Sequence, residues 1–378
     1  MQRHNSLEIG IAGAGSAGLF LALLLEKQGH SVTLFERAPQ LRCDGCGLLV
    51  IPPGLEAIAA GGDDGLLQEL LTAGRAVSRF VYRNLRGVVI NSSPSEVPPG
   101  ELPPLLIHRR AIMEALCSRL ESVSVVTGAE MLSWRQDAEG VDALFANGSR
   151  WRGDLLVGAD GLFSRVAPLV APERKLNYLG DRVWRGVVVD DSFCRDGEFF
   201  VYARGRGVYA NAFDIGTNNR GEPLTHWGFF QEDPLPAERE EQKQLLSEPV
   251  PADSLAKIPD DIARVISSTP AAQLVANWSF DIDPLPRLVR GRVALIGDAA
   301  HAMSSSQASG MTTGWEDGVE LARQLELIEA EGPGAVTRAL DLYNTWRLPQ
   351  VHQRQAKSRE VSAKVGRQRK PQVLARAS

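Results

Sequence analysis

The first forty residues alternate between short apolar runs and turn-forming residues. Residues 7–12 cluster β-branched and apolar side chains as a buried strand does, residues 17–28 are strong helix formers that end before Gly29, and residues 32–36 form a second apolar run. A strand, a helix and a strand in this order form a βαβ unit, whose strands are parallel because the helix crosses between them. The pattern therefore predicts an α/β domain at the start of the chain.

Later apolar runs extend the same predicted sheet. Residues 109–120 place apolar side chains on one helical face, and residues 123–126 follow as a strand. The turn pair Asn147-Gly148 predicts a hairpin in this region. Two runs, residues 155–159 and 293–297, are uniformly apolar. Each is followed directly by an aspartate, Asp160 or Asp298. Polar residues at the carboxyl ends of buried parallel strands are where α/β sheets bind ligands.

Between these runs the pattern changes character. Residues 182–231 contain aromatic-rich strands separated by Gly, Asn and Asp turns, which predicts an antiparallel sheet. We expect this sheet to be the main part of a second domain, inserted into the first and joined by residues 76–104. Residues 233–256 are rich in Pro and Glu, and we expect them to form an exposed connection.

Composition excludes several classes of protein. The chain has 378 residues, enough for two domains, and its net charge of -5 argues against a nucleic-acid-binding face. Its four cysteines are too few and too scattered for a disulfide framework or a zinc site, so no metal is expected. The uncharged stretch 9–25 is shorter than the roughly 18 to 20 apolar residues of a membrane span, and glycines interrupt it. We expect a cytoplasmic monomer or homodimer without an integral membrane segment.

Two local features have alternative interpretations. Cys43 and Cys46 form a C-x-x-C pair, which chance spacing explains better than a redox role, so we expect no catalytic function for the pair. Lys and Arg gather after Val351, and we expect a solvated helix and tail there rather than a membrane or partner surface.

A glycine-rich segment lies between the first predicted strand and the first predicted helix. Residues 13–18, Gly-Ala-Gly-Ser-Ala-Gly, match the dinucleotide pattern G-x-G-x-x-G. Gly13 permits the tight turn, Gly15 lets the backbone approach a pyrophosphate, and Gly18 allows close packing of helix on sheet. The helix N-terminus also attracts phosphate charge. This context favours a dinucleotide site over a turn that binds no ligand.

Glu36 closes the second predicted strand, about twenty residues after the glycines. A carboxylate at this place can accept both ribose hydroxyls of an adenosine, and it repels a 2′-phosphate. The first motif therefore indicates FAD or NAD rather than NADP, and by itself it does not choose between FAD and NAD.

Two further segments carry a resemblance that makes this choice. Gly-Ala-Asp-Gly at 158–161 and Gly-Asp-Ala-Ala-His at 297–301 resemble the second and third motifs of the para-hydroxybenzoate hydroxylase-like, class A family of FAD-dependent aromatic monooxygenases. All three motifs stand in the order and at the usual spacing of that family. Arg109 matches the arginine near the FAD pyrophosphate, and residues 45–48 match the Gly-x-Gly stretch whose backbone lines the isoalloxazine ring. The resemblance covers residues 7–350.

Within the family, the strand 183–187 is similar to that of salicylate-, urate- and 2,6-dihydroxypyridine-hydroxylating members. Trp184 and Arg185 of this strand are either substrate contacts or, alternatively, a core residue and the partner of an acidic neighbour. His301, inside the third motif, is expected to be structural.

The resemblance implies a fold, a division of the chain and a set of cofactor residues. The fold is α/β, a three-layer, GR2-type Rossmann-like FAD-binding domain with an inserted antiparallel β-sheet substrate domain. The expected FAD-binding domain comprises residues 1–75, 105–180 and 275–350, the substrate domain residues 76–104 and 181–274, and a basic helix or tail residues 351–378. The residues expected at the cofactor are Gly13, Gly15, Ser16, Ala17, Gly18, Glu36, Arg37, Gly47, Leu48, Arg109, Asp160, Gly161, Asp298, Gly310, Met311 and Thr312.

The third motif departs from the family pattern G-D-A-A-H-x-x-x-P-x-x-G-Q-G-x-N. Ser305 replaces the proline, residues 308–310 replace the glycine–glutamine pair, and Thr312 replaces the asparagine. The family proline lies beside the reacting ring, so Ser305 is expected to add a polar contact there. This slightly favours a heteroaromatic substrate. A helix that begins near Gly310 is still expected to direct its positive end at the flavin.

The resemblance also implies the chemistry. FAD is bound tightly and non-covalently, NADH or NADPH binds transiently and reduces it, and a flavin C4a-hydroperoxide formed with O₂ hydroxylates a small aromatic or heteroaromatic ring. The sequence names no catalytic base. Weak candidates are Tyr202, Tyr209, His226 and Ser305, each with an alternative role as a hydrogen-bonded core or surface residue.

Three alternatives keep the same fold. A flavin-dependent halogenase would carry W-x-W-x-I-P, a pattern absent from the sequence. A non-catalytic relative would be expected to lose the motif glycines or Asp298, which are all present. A flavin-dependent reductase or dehydrogenase remains open, because it would keep every motif.

Overall fold

The computed structural model describes residues 6–42, 45–328, 334–364 and 372–373. Its strands, in chain order, are β1 (Glu8–Ala12), β2 (Ser31–Glu36), β3 (Gly47–Val50), β4 (Arg75–Ala76), β5 (Arg79–Arg83), β6 (Val89–Pro94), β7 (Leu105–His108), β8 (Ser124–Thr127), β9 (Met131–Gln136), β10 (Val141–Phe145), β11 (Arg150–Gly153), β12 (Leu155–Gly158), β13 (Leu176–Val189), β14 (Glu198–Gly205), β15 (Val208–Thr217), β16 (Pro223–Glu232), β17 (Val275–Ile282), β18 (Val289–Arg290), β19 (Val293–Leu295) and β20 (Gln372–Val373).

The helices are, in chain order, α1 (Ser16–Lys27), α2 (Pro52–Ala60), α3 (Asp64–Ala73), α4 (Arg109–Cys117), α5 (Ala167–Val170), α6 (Arg239–Ser247), α7 (Ala252–Leu255), α8 (Asp260–Ser267), α9 (Asp298–His301), α10 (Ser309–Glu326) and α11 (Ala335–Lys364). Among the described residues, no helix combines the length and the apolar character that crossing a bilayer requires.

The predicted βαβ unit forms the centre of a six-stranded sheet with the order β18-β19-β12-β1-β2-β8. β19, β12, β1, β2 and β8 pair in parallel, and β18 adds an antiparallel edge. Ile9 and Ile11 of β1 are fully buried on one face of this sheet, in the same core as α1, α4 and α10. This arrangement confirms the predicted Rossmann-like α/β fold.

The predicted hairpin at Asn147-Gly148 does not join the parallel sheet. β9, β10 and β11 form an antiparallel sheet of their own. This small sheet covers the second face of the parallel sheet: a Cβ on Gly10 would lie 2.8 Å from the Trp151 ring, and Phe35 stacks on Phe145. The glycine in β1 leaves space for an aromatic ring, so helices, parallel sheet and small sheet make three layers.

The aromatic-rich strands form the predicted antiparallel sheet, with the order β17-β13-β16-β15-β14-β5-β6 and β20 beside β13. Only β14 and β5 pair in parallel. The sheet exceeds the expected segment at both ends, because β13 begins at Leu176 and β17 continues to Ile282. It also includes β5 and β6 from residues 79–94.

Alternation along the strands of this sheet separates a core face from a cavity face. Trp184 and Trp227 are fully buried in a core shared with Ile262 of α8. Their strand neighbours Arg185 and His226 line a cavity on the opposite face. The two-residue period of a strand therefore decides which of the adjacent residues can meet a ligand.

The terminal helix α11 crosses the expected boundary at residue 350 without a break. Lys357 and Lys364 are exposed as expected for a solvated basic helix, but Val351, Gln355 and Ser358 are buried. One face of the helix thus belongs to the protein core. Most of the basic tail, from residue 365 to 371, lies outside the described residues, and so does Cys43 of the C-x-x-C pair.

Candidate functional site

The glycine-rich turn after β1 leaves open space in front of helix α1. Gly13 has a φ of +113°, and a Cβ on it would lie 2.3 Å from the Ala159 carbonyl oxygen. A Cβ on Gly18 would lie 2.0 Å from the carbonyl oxygen of Gly13. A Cβ on Gly15, by contrast, would meet no atom within 4 Å. The turn therefore has room for a phosphate group at the positive end of α1.

A cavity of about 200 Å³ lies beside this turn. Its walls come from the ends of β1, β2 and β12 and include Gly13, Gly15, Glu36, Arg37, Asp160 and Gly161. Glu36 accepts hydrogen bonds from the backbone N–H of Ala14 at 3.1 Å and of Ala38 at 2.8 Å. Each of its oxygens keeps a lone pair for a ligand, so Glu36 can brace the turn and bind at the same time.

Asp160 is held by the loop that follows it. Its carboxylate accepts hydrogen bonds from Ser164 Oγ at 2.5 Å and from the Arg165 backbone N–H at 2.6 Å. Burial nevertheless raises the pKa of Asp160 above its usual value. The carboxylate is thus a fixed part of the cavity wall.

Arg174 connects this loop with helix α9. It donates to the carbonyl oxygens of Leu162 at 2.6 Å and of Ala299 at 3.2 Å. Burial lowers its pKa, and the nearby carboxylates of Asp160 and Asp298 oppose that shift. Sequence reasoning missed Arg174, because it belongs to none of the three motifs and no local pattern distinguishes it.

A larger cavity, of about 630 Å³, lies on the cavity face of the eight-stranded sheet. One wall consists of β3 and the segment from α9 to α10, and it includes Cys46, Gly47, Leu48, Asp298, Gly310 and Met311. The facing wall is aromatic and includes Phe80, Phe199, Tyr209, Phe213 and Phe230. A flat ring system can lie between these walls, with backbone and small side chains on one side and aromatic rings on the other.

Asp298 opens helix α9 at the wall of this cavity. Its side chain is exposed to the cavity, but the protein atoms around it raise its pKa, whereas His301 and Arg174 favour the carboxylate. Gly310 lies beside it, because a Cβ on that glycine would be 3.7 Å from Asp298 Oδ1. The third motif therefore presents a carboxylate and a glycine together at the same place.

A buried ionic network supports the third motif from beneath. Asp317 of α10 accepts hydrogen bonds from the Gly297 backbone N–H at 2.9 Å and from Arg347 Nε at 2.9 Å. Its Oδ2 also lies 2.5 Å from His301 Nε2. His301 is fully buried, so the structure places it in this network and away from the cavity, as the sequence led us to expect of a structural residue.

The serines after the third motif connect it with α11. Ser304 Oγ lies 2.9 Å from Ser358 Oγ and 2.6 Å from Ser362 Oγ. Val361 of the same helical face lines the larger cavity. Ser305 is exposed and lines the cavity as well. The segment that departs from the family pattern thus faces the cavity with one serine and holds the terminal helix with its neighbour.

Comparison with known proteins adds the family. The model of the FAD binding domain family named FAD_binding_3 matches residues 6–358. The chain belongs to this family. Among related proteins of this FAD-binding family, the aurachin C monooxygenase/isomerase of Stigmatella aurantiaca is 32% identical over 335 residues, which is 88% of this chain and 84% of the relative. An FAD-dependent urate hydroxylase of Klebsiella pneumoniae is 28% identical over 82% of this chain and 79% of the relative.

Solved structures agree on the fold of this FAD-binding family. Klebsiella pneumoniae HpxO, complexed with FAD and uric acid, superposes with a TM-score of 0.80 at 24% identity and covers 97% of this chain and 90% of its own. The 2,6-dihydroxypyridine-3-hydroxylase of Arthrobacter nicotinovorans superposes with a TM-score of 0.79 at 20% identity and covers 99% of both chains. These comparisons confirm FAD as the cofactor and the aromatic hydroxylase family as the correct assignment.

The shape of the two cavities fits FAD. The space in front of Gly15 lies at a helix N-terminus, as a pyrophosphate needs, and Glu36 borders the smaller cavity with free acceptor capacity. The Gly47 and Gly310 backbones line the larger cavity, where they can approach a ring closely. No side chain fills either space in the described part of the chain.

Other residues expected at the cofactor do not line either of the two cavities. Ser16 begins α1, Ala17 packs against Gly297 and Gly314, and Arg109 begins α4 with its side chain against Gly45. Thr312 is fully buried, and its hydroxyl would lie 2.6 Å from a Cβ on Gly54. The structure therefore places the Thr312 side chain between α10 and α2 rather than in a cavity wall.

The weak catalytic candidates separate into two groups. Tyr209, His226 and Ser305 line the larger cavity. Tyr202 is fully buried in the core behind the sheet, where its hydroxyl lies 3.5 Å from Asp261. Burial and the nearby Asp261 raise the pKa of Tyr202 far above its usual value. Tyr202 therefore has neither the access nor the acidity that proton transfer from a bound ring would need.

Proposed function

We propose that this protein is a flavin-dependent monooxygenase that consumes NADH or NADPH and hydroxylates a small aromatic or N-heteroaromatic ring. The observation that carries the proposal is the larger cavity, where Gly47, Asp298 and Gly310 face an aromatic wall. Its volume of about 630 Å³ suits a ring system and a small substrate together. The aromatic hydroxylases among the relatives support the same chemistry.

The two cavities suggest how the chain would hold FAD. Gly13, Gly15 and the start of α1 would receive the pyrophosphate, and Glu36 would accept hydrogen bonds from the ribose. Asp160 and Asp298 would stand at the middle of the cofactor. Backbone groups of Gly47, Leu48, Gly310 and Met311 would line the flavin ring. When bound, FAD supplies the redox chemistry, because it accepts hydride from nicotinamide and reacts with O₂.

The protein itself would bind and orient the substrate ring and exclude water. Tyr209 packs edge-to-face on Phe230 with ring centroids 5.1 Å apart, and the Arg185 guanidinium lies 5.7 Å from the same ring. Arg185 donates to the amide oxygen of Asn277 at 2.5 Å rather than to an acidic neighbour. We therefore assign Arg185 to the substrate cavity and Trp184 to the core. Residues 76–104 and 176–282 would form the substrate domain.

Purified protein tests the proposal directly. We expect a yellow protein that releases free FAD on denaturation and oxidises NADH or NADPH faster when phenols, pyridines, purines or quinolones are added. One oxygen atom from ¹⁸O₂ should appear in the product. A reductase would oxidise the nicotinamide without labelling an organic product, and a protein that stays colourless after FAD is added would contradict the cofactor as well.

Ser305 gives a prediction about coupling. We expect Ser305→Pro to raise the H₂O₂ released per NAD(P)H oxidised, because the variant loses a hydroxyl that can donate to and accept from the substrate. The backbone should tolerate proline, since Ser304 before it is extended at φ -63° and ψ 152°. Oxygen and peroxide assays on flavin-replete enzyme measure the effect. Ser305→Ala is the control for the hydroxyl alone, and coupling equal to the parent in both variants would refute the role.

A further inference from the structure

His226 connects two sheets that the chain order keeps apart. It belongs to β16 of the eight-stranded sheet, and its Nδ1 accepts a hydrogen bond from the Gly47 backbone N–H at 3.0 Å. Gly47 opens β3, which pairs with β7 in a separate three-stranded sheet of the order β3-β7-β4. The bond is buried and spans 179 residues of sequence. It is therefore a tertiary contact between the substrate sheet and the strand that lines the cavity.

The proton on the imidazole is fixed by its surroundings. Burial, with smaller contributions from Arg185 and His108, lowers the pKa of His226 to about 3. Because Nδ1 accepts from Gly47, the proton of the neutral ring lies on Nε2. Nδ1 is thus occupied by a backbone N–H, and the ring stays neutral throughout the ordinary pH range.

Strand β3 packs closely against the substrate sheet at Gly47. A Cβ on Gly47 would lie 2.5 Å from His226 Cβ and 2.9 Å from Ile215 Cγ2. The Phe213 ring covers the imidazole, with centroids 4.5 Å apart. Only a glycine permits this approach, so the position of β3 is set against His226 and its neighbours.

We propose that His226 is a positioning residue that holds the Gly47 backbone in place at the flavin ring, and that it is not the catalytic base. This inference rests on the proposed function for the identity of the bound ring. His226 acts on β3 from the substrate sheet, so it aligns the flavin-lining backbone with the wall that binds the substrate. Its loss leaves a buried N–H without an acceptor, which frees β3 to shift.

Two variants separate this role from general destabilisation. His226→Asn places an amide oxygen near the position of Nδ1, whereas His226→Leu has similar volume and no acceptor. We expect His226→Leu to weaken FAD binding to the apoprotein by about 10-fold or more, the effect of one unpaired buried donor. We also expect a changed visible spectrum of the bound flavin. His226→Asn should restore most of both properties.

Thr225→Val is the matched control on the same strand. Its hydroxyl is buried and donates to the Asp190 carbonyl oxygen at 2.8 Å, outside the cavity walls. We expect this variant to bind FAD as the parent does, even where its melting temperature falls. Equal FAD affinity and spectra in the Asn and Leu variants would overturn the proposal. So would a loss in Thr225→Val that matches the loss in His226→Leu.

The pH profile of turnover distinguishes positioning from base catalysis. If His226 were the catalytic base, the kcat/KM profile of His226→Asn would lose one limb. If His226 is a positioning residue, the profile of this variant keeps the shape of the parent's. FAD titration and flavin spectra do not depend on hydroxylation. A parent that binds FAD but hydroxylates nothing would refute the proposed function, and the Asn and Leu variants would still decide the role of His226.

Discussion

Asp317→Asn should lower the free energy of unfolding by about 3–5 kcal/mol, the cost of removing one partner from a buried ion pair. Asp317 is fully buried and accepts from the Gly297 N–H and from Arg347. Asparagine keeps the shape but not the charge, so Arg347, only 3% exposed, would lose its buried counter-ion. Glu316 remains 3.3 Å away, but it is less buried than Asp317.

The pH dependence of the free energy of unfolding should reflect the ionisation of Asp317. Although burial opposes ionisation, the charges of His301 and Arg347 hold the pKa of Asp317 below its usual value of 3.8. Because the pKa of Asp317 is lowered in the folded state, the stability that its carboxylate contributes is fully present above the pKa of the unfolded state. That contribution falls as the pH drops through the lower pKa of the folded state. The parent should therefore lose more stability than Asp317→Asn below about pH 4.

Urea denaturation of the parent and of two variants measures this effect. Glu316→Gln is the control, because Glu316 pairs with Arg347 and Arg354 from a position that is 20% exposed. Its loss should cost about 1 kcal/mol or less. Equal losses in the two variants would show that Asp317 is not the centre of the network. If the spectrum of bound flavin also shifts in Asp317→Asn, the loss of the carboxylate has changed the position of Asp298, which follows Gly297 in the chain.

The parts of the fold that sequence predicted correctly depend on short-range patterns. The strand, glycine turn, helix and strand of residues 7–36 are specified within one segment, and they appear as β1, α1 and β2. The helix from Arg109 follows the same rule, because its apolar spacing is local. The helix near Gly310, in contrast, was expected from the family resemblance. The alternation in 182–231 likewise predicted an antiparallel sheet.

The parts that sequence did not predict depend on distant partners. The sheet of β9, β10 and β11 packs on the face of the parallel sheet and does not extend it. Gly10 makes space there for Trp151, a contact between distant parts of the chain that no local pattern encodes. The Pro- and Glu-rich connection contains helix α6, which has no fully buried side chain and packs the partly buried Leu245 and Leu246 against the cluster of Tyr178. Two adjacent apolar residues do not form the apolar stripe that predicts a helix. Acidic residues in its first turn favour that helix through its dipole.

The candidate site shows the same division. Motif glycines 13 and 18 were predictable, because a turn or a close approach requires each of them, and Gly15 leaves open space at the helix start. Arg174 and Val361 were not, since their roles come from Asp298 and from the cavity, which lie far away in sequence. Tyr202 and His226 looked alike as candidates, and only the two faces of the sheet separate them.

Glu36→Arg should weaken FAD binding by about 1–3 kcal/mol, the contribution of a charged hydrogen-bonding partner. The substitution removes the expected ribose acceptor and places a cation at the adenosine end of the smaller cavity. The structure adds a second reason, because Glu36 also accepts from the backbone of Ala14 and Ala38. Part of the loss should therefore come from a loosened glycine turn rather than from the missing ribose contact.

Glu36→Gln separates these two contributions. Its amide oxygen can accept from one backbone N–H, whereas its amide nitrogen cannot accept from the other, so the turn is half supported and no cation is introduced. We expect FAD affinity in the order parent, Glu36→Gln, Glu36→Arg, measured by titration of the apoproteins. The melting temperatures of the apoproteins report the turn alone, because the ribose is then absent. If Glu36→Arg lowers FAD affinity without lowering the melting temperature of the apoprotein, its effect acts at the ribose. If it changes neither quantity, Glu36 does not bind the cofactor and does not support the turn.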